Sequence, residues 1–196
     1  MSVITPATLR GWGVELQPLS LAHVQGLQAA VCDGDIWKLA FTSAPEPTQD
    51  AVTAYVEKAL AHQAEGTHLP FAVVGANGEV LGTTRYYDLA PSVCNLAIGY
   101  TWYAARVQRT HVNTACKRLL LGHAFDTIDA EAVYFHTSHL NLRSRAAIER
   151  LGAKLDGVIR RHQRHKDGSL RDTYSYSIVR EEWPAIREAL DACLNA

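Results

Sequence analysis

Between positions 106 and 111 the chain reads Arg106-Val107-Gln108-Arg109-Thr110-His111, and Val112, Asn113 and Thr114 lead from there into a helical pattern carrying Lys117 and Arg118. The surrounding interval from Leu89 to Phe125 holds no Asp or Glu, although 20 acids in 196 residues would place about four in a stretch of that length. A helix capped at Asn113 or Thr114 would put Lys117 and Arg118 in its first turn, where positive charge opposes the helix dipole unless an anion sits there. Free N–H groups at a helix start, reinforced by Arg and Lys, form a phosphate site. The alternative is a solvated basic loop.

Further along, Asn141 and Ser144 are spaced to share one side of a helix start, where Asn141 also suits a plain N-cap. Asp88, His136, His139 and Asp172 fall near expected strand ends, where a base could meet a substrate. A histidine titrating near ~6.5 can take a proton directly or through water; Asp172 could equally pair with Arg171. His136 and His139, like His162 and His165, are three apart on expected strands and so point to opposite faces, and no metal site is expected from them.

These groups need a scaffold. A chain of 196 residues with net charge -1 and 47% hydrophobic content is read as one domain over 1–196, neither disordered nor globally basic. Met1 to Leu9 has no signal-peptide pattern, no run reaches the ~20 apolar residues of a membrane span, and the four cysteines are scattered without a C-x-x-C pair. A cytoplasmic protein with reduced thiols and no membrane partner is expected.

Trp12 to Leu19 reads as an edge strand and Ser20 as the cap of a helix through about Val31. Thr48 to Glu65 is a second helix, and Leu69 to Val74 with Val80 to Tyr87 a hairpin turning at Asn77-Gly78. Cys94 to Tyr103 is a strand, the Cys116 to Ile128 pattern a helix, and Ala132 to Phe135 a strand, a succession that implies a right-handed parallel crossover. Asn141 to Leu151 is a short helix, Lys154 to Arg161 and Asp172 to Val179 form a hairpin turning near Asp167-Gly168, and Pro184 to Leu194 is a closing helix. The fold class expected is mixed α/β (α+β).

With these elements in order, the loop 106–114 and the strand Ile98-Gly99-Tyr100-Thr101-Trp102-Tyr103 resemble the GNAT superfamily of acetyl-CoA-dependent N-acetyltransferases. Asn141-Leu-Arg-Ser144-Arg-Ala-Ala-Ile148-Glu-Arg-Leu-Gly152, then Asp167-Gly168-Ser-Leu-Arg171-Asp172-Thr-Tyr-Ser-Tyr-Ser177 and Glu182-Trp183-Pro184, resemble its ribosomal-protein N-terminal acetyltransferase, or Rim-type, branch. The resemblance implies a central sheet of about seven strands with helices on both faces, and acetyl-CoA as cosubstrate without a metal. It implies acetyl-CoA contacts from Gln108, Arg109, Thr110, His111, Val112, Asn113, Thr114, Lys117 and Asn141, and a thioester carbonyl polarised by backbone N–H groups near Trp102 and Tyr103. Ser144 becomes the candidate donor to the CoA sulfur, with His136 and Asp172 as candidates for the base.

The loop departs from the family pattern Gln/Arg-x-x-Gly-x-Gly/Ala. His111 holds the central glycine position and Asn113 the last, so His111 is expected to donate to phosphate where glycine would bring the backbone close. The acceptor implied is a protein N-terminal α-amine, with small amines and amino-sugar antibiotics as alternatives. From a different class comes a non-catalytic CoA-binding adaptor that docks on RNA or a ribosomal surface through Arg160, Arg161, Arg164, Lys166 and Arg171, which outnumber Asp156 and Asp167 in the late hairpin. Strand edges leave a homodimer open.

Overall fold

The computed structural model describes residues 5–196. Its centre is one eight-stranded sheet in the order β1-β2-β3-β4-β5-β6-β8-β7, built from β1 (Leu9–Gly11), β2 (Val14–Pro18), β3 (Leu69–Gly75), β4 (Val80–Ala90), β5 (Asn95–Tyr103), β6 (Ala132–Ser138), β7 (Lys154–Arg164) and β8 (Leu170–Val179). All neighbours are antiparallel except β5 and β6, which run parallel across the crossover helix, as expected.

The strand beyond the expected seven is β1. Trp12 (φ 50°) and Gly13 (φ 73°) both adopt positive φ, forming a two-residue hairpin loop that turns the segment read as one edge strand into two paired strands. Tryptophan seldom takes that conformation, which is why the turn is not legible in the sequence.

Five helices cover the sheet: α1 (Val24–Cys32), α2 (Gln49–Ala64), α3 (Val112–Gly122), α4 (Leu142–Arg150) and α5 (Trp183–Asn195). Thr48 caps α2 by accepting from Ala51 N at 3.2 Å, and buried Val52, Val56 and Ala59 line the helix face that meets the sheet. With α1, that face packs on Ala72, Val74 and Trp102. On the opposite face Val112, Cys116 and Leu120 of α3, Ile148 of α4 and Leu190 of α5 join Phe71, Tyr86, Ile98 and Phe135 in the larger core. Two faces of apolar residues thus fix a three-layer domain with the sheet between.

Candidate active site

The opening of the site is set by strand pairing. β5 pairs with β6 only from Asn95 to Ala97 against Ala132 to Tyr134, while β6 stays paired to β8 through Ser138. From Ile98 onward β5 leaves β6, and its edge on that side loses its strand partner. The divergence therefore begins earlier than Trp102 and Tyr103, where the thioester-polarising donors were expected. Trp102 and Tyr103 still belong to this stretch, with their rings buried on opposite faces of the sheet.

A bulge aims the same stretch. The β4–β5 register passes from Thr83 opposite Trp102 to Arg85 opposite Gly99, so Tyr100 and Thr101 face the single residue Thr84, and Tyr100 takes φ 52°. A bulge of this kind re-aims backbone groups beside a site. On β4, Gly82 (φ 153°) lies against the Trp102 carbonyl where a Cβ has no room, so the bulge is supported by a residue that only glycine can supply.

The basic loop leads from β5 into α3. Helix α3 begins at Val112 with His111 as N-cap, earlier than the expected caps Asn113 and Thr114, and its first N–H groups lack carbonyl partners within the helix. Thr110 Oγ1 accepts from Val112 N at 3.3 Å and donates to Val107 O at 2.7 Å. Gln108 donates to Tyr103 O at 3.0 Å, tying the loop to the end of β5. The left-handed turn falls on exposed Arg109 (φ 62°), whereas His111 has φ -65°. The backbone at the family's central glycine position thus needs no glycine. The His111 ring does not behave as expected either: its Nε2 lies 3.1 Å from Trp12 O in the β1–β2 turn.

Lys117 corrects a further expectation. Because α3 starts at Val112, Lys117 and Arg118 fall in its second turn. Lys117 is 6% exposed and points inward, donating to Thr101 Oγ1 at 2.9 Å and Thr84 Oγ1 at 3.4 Å, so it lies beneath the bulge and not beside the loop. Burial pulls its pKa down to about 8. Arg118 pairs with Asp191 of α5 at 2.7 Å. Arg106, also exposed, pairs with Asp33 at 2.9 Å, and Arg109 is exposed at the loop. Beside Asn113 and Thr114 lies a cavity of about 400 Å³, closed by Ala147 and Arg150 of α4 and Ile186 of α5.

Helix α4 brings Asn141 and Ser144 together. Asn141 is its N-cap, its Oδ1 accepting from Ser144 N at 3.1 Å. His136 lies on the face opposite Phe135, with Nδ1 3.1 Å from the Tyr87 hydroxyl, and burial lowers its pKa. Asp172 is otherwise engaged: its carboxylate accepts from Arg161 N at 2.7 Å, where Arg161 has φ 52°. It fixes a bulge of β7 and forms no ion pair with Arg171 among the described residues. Among the described residues no group of three His, Cys, Asp or Glu is placed to hold a metal.

The face of the sheet under α1 and α2 carries Arg85 and His68, which the sequence did not single out, beside Tyr87 and Tyr100. Arg85, 3% exposed, has its guanidinium 4.3 Å from the Tyr100 ring and 5.2 Å from that of Tyr55. Tyr87 meets Tyr100 edge-on at 5.2 Å and lies over Gly99, and His68 stacks on Tyr87 at 6.1 Å. The available signal was an arginine between a threonine run and two tyrosines in a strand otherwise built for burial. Trp37 lines a surface hollow of about 620 Å³ with Ala44 and Lys166, and Lys166 Nζ donates to Ala44 O at 2.6 Å.

Residues 14–154 match the family profile for the acetyltransferase (GNAT) domain. An inferred acetyltransferase from T. thermophilus superposes with a TM-score of 0.85 at 34% identity, over 97% of this chain and 98% of that one. A GCN5-related N-acetyltransferase from Brucella melitensis gives 0.87 at 26% identity over 98% and 87%, and Mycobacterium smegmatis RimJ in complex with CoA-disulfide gives 0.78 at 21% over 96% and 93%. No curated protein matches the chain by sequence. With the diverging strands, the bulge and the basic helix start, these likenesses show that the chain belongs to the GNAT acetyltransferase family and is an acetyl-CoA-dependent N-acetyltransferase.

Proposed function

We propose that the chain acetylates a protein N-terminal α-amine by direct attack on acetyl-CoA, without a covalent enzyme intermediate. The divergence of β5 from β6 carries this reading, because an unpaired strand edge, a bulge and a helix start whose N–H groups suit an anion follow one another along the chain there. The protein acceptor follows the resemblance of residues 141–152 and 167–177 to the Rim-type branch.

Exposed Arg109 and the free N–H groups at the start of α3 would hold the pyrophosphate, with Asn113 and Thr114 facing the cavity that suits the adenosine end. The N–H groups of β5 from Ile98 to Tyr103 would pair with the pantetheine arm and polarise the thioester carbonyl. The amine nitrogen forms the new C–N bond as the C–S bond breaks. His136, kept neutral by burial, takes the amine proton directly or through water, and the Ser144 hydroxyl donates to the departing thiolate.

Thiol release measured with free α-amine peptides, their Nα-blocked counterparts and small primary amines tests the assignment. Turnover confined to free peptides supports it, and preference for small amines moves the acceptor to that class. A second reading, a CoA-binding adaptor docking on a ribosomal surface or RNA, draws on exposed Arg160, Arg161 and Arg164 along the edge strand β7. Calorimetric binding of acetyl-CoA without thiol release from any amine would favour it.

A further inference from the structure

The sheet face under α1 and α2 holds two arginines without a counter-ion. Among the described residues the Arg85 guanidinium forms neither an ion pair nor a hydrogen bond, and its buried Nε has no partner. Arg171, half-buried, likewise leaves its Nε buried and unpartnered. Arg85 stacks on the ring of Tyr100, and Arg171 lies in the neighbourhood of Tyr87 and Tyr100. The Tyr55 hydroxyl and the Trp102 indole Nε1 are also buried and unpartnered beside Arg85.

Stacking on aromatic rings offsets only part of the cost of burying a guanidinium, and unsatisfied buried donors in one neighbourhood call for an acceptor from outside the chain. Exposed Asp88 acts on His68, Tyr87 and His136, and neither it nor Asp172, which follows Arg171 in the chain and accepts from Arg161 N, pairs with either arginine among the described residues. The unpaired charge sits at the bulge residue Tyr100, where the acceptor amine must arrive if the proposed function holds, and the present inference rests on that reading. We propose that the acceptor carries an oxyanion, a carboxylate or a phosphate, beside its amine, and that Arg85 and Arg171 hold it against the Tyr87–Tyr100 wall. A planar fork of donors matches either group in two-point fashion.

Thiol release is compared within matched pairs: peptides starting Asp-Ala or Asn-Ala with amidated C-termini, β-alanine against β-alaninamide, and O-phosphoserinamide against serinamide. The anionic member is expected to win by about ten- to hundred-fold in kcat/KM, chiefly through KM, and the pair showing the largest ratio tells carboxylate from phosphate. In Arg171→Gln and Arg85→Gln the ratio falls toward one while acetyl-CoA affinity is unchanged. If Arg85→Gln fails to fold, the less buried Arg171→Gln carries the test. A ratio near one in the wild type, or a preference that survives in Arg171→Gln, overturns the site. Saturation-transfer NMR on β-alanine and O-phosphoserinamide separates this failure from that of the enzymatic reading. Binding that Arg171→Gln abolishes, without thiol release, keeps the anion site and removes its acceptor role; absence of both binding and turnover overturns the site.

Discussion

Lys117 Nζ donates to Thr101 Oγ1 across 2.9 Å, which puts an ammonium group from the crossover helix directly under the bulge of β5. Two threonine hydroxyls are its partners, and no carboxylate comes from the acid-free interval between Leu89 and Phe125. Neutral hydroxyls solvate a buried cation poorly, and the fall of its pKa to about 8 expresses that cost. A charge retained at such a cost is well placed to steady negative charge developing on an oxygen at the bulge.

Lys117→Met is therefore expected to stabilise the fold and impair catalysis. At pH 7 both folded and unfolded chains carry the Lys117 proton, so the wild type bears the full penalty. Between about 8 and 10.5 the unfolded chain binds more protons than the folded one, and wild-type stability relative to the variant rises with pH. Chemical denaturation should show the variant ahead by about 1–3 kcal/mol at pH 7, with the gap closing toward pH 10.5. Turnover should fall while acetyl-CoA affinity holds, and unchanged turnover would leave Lys117 a structural role only.

Arg109→Ala should weaken acetyl-CoA binding, because Arg109 is the cation that the left-handed turn presents at the start of α3. An exposed charge acting on phosphate is screened by salt, so calorimetric affinities of wild type and variant should converge between 50 mM and 500 mM NaCl (roughly 14 Å to 4 Å of screening length). Equal affinity at low salt would assign the helix start to another anion.

Ser144→Ala removes a hydroxyl but leaves the backbone N–H that Asn141 caps. Helix α4 should keep its stability, and kcat should drop about 10²-fold or more while acetyl-CoA affinity stays close to wild type. Asn141→Ala should do the reverse in part, costing about 1 kcal/mol of stability through the lost cap. A Ser144→Ala enzyme with wild-type kcat takes Ser144 out of the reaction.

Much of this architecture is legible in the residues. The periodicity of 48–65 and 113–128, the Asn77-Gly78 turn and the β-branched strands locate nearly every element, and the basic stretch at 106–111 locates the helix start. What is not legible depends on long-range geometry. The sequence pattern places Lys117 at the loop because it starts α3 at Asn113 or Thr114; with the helix beginning at Val112, Lys117 falls past the first turn, on the face that also buries Leu120, Leu121 and Ala124. Asp172 looks available in the sequence because the β7 bulge it clamps at Arg161 has no local signature. Arg85 shows in the sequence only as an arginine within a strand built for burial; its significance lies in the absence of a partner, which only the assembled sheet reveals.

The acid limb of the pH–rate profile tests His136. Burial is the main cause of its lowered pKa; Asp88 and Asp156 pull it up, and Arg171 and His162 push it down. The neutral ring needed to accept a proton is thus available from below pH 6.5, and kcat/KM should rise along a limb whose midpoint lies under that value. Arg171→Gln removes a repelling cation and should move the midpoint up, whereas Asp88→Asn removes an attracting anion and should move it down. His136→Gln should abolish the limb. The same shift contributes stability that is present above pH 6.5 and lost as the pH falls through the folded-state value, because the unfolded chain then binds the proton more readily. A limb that persists in His136→Gln, or that ignores both neighbouring charges, would assign the proton transfer to another group.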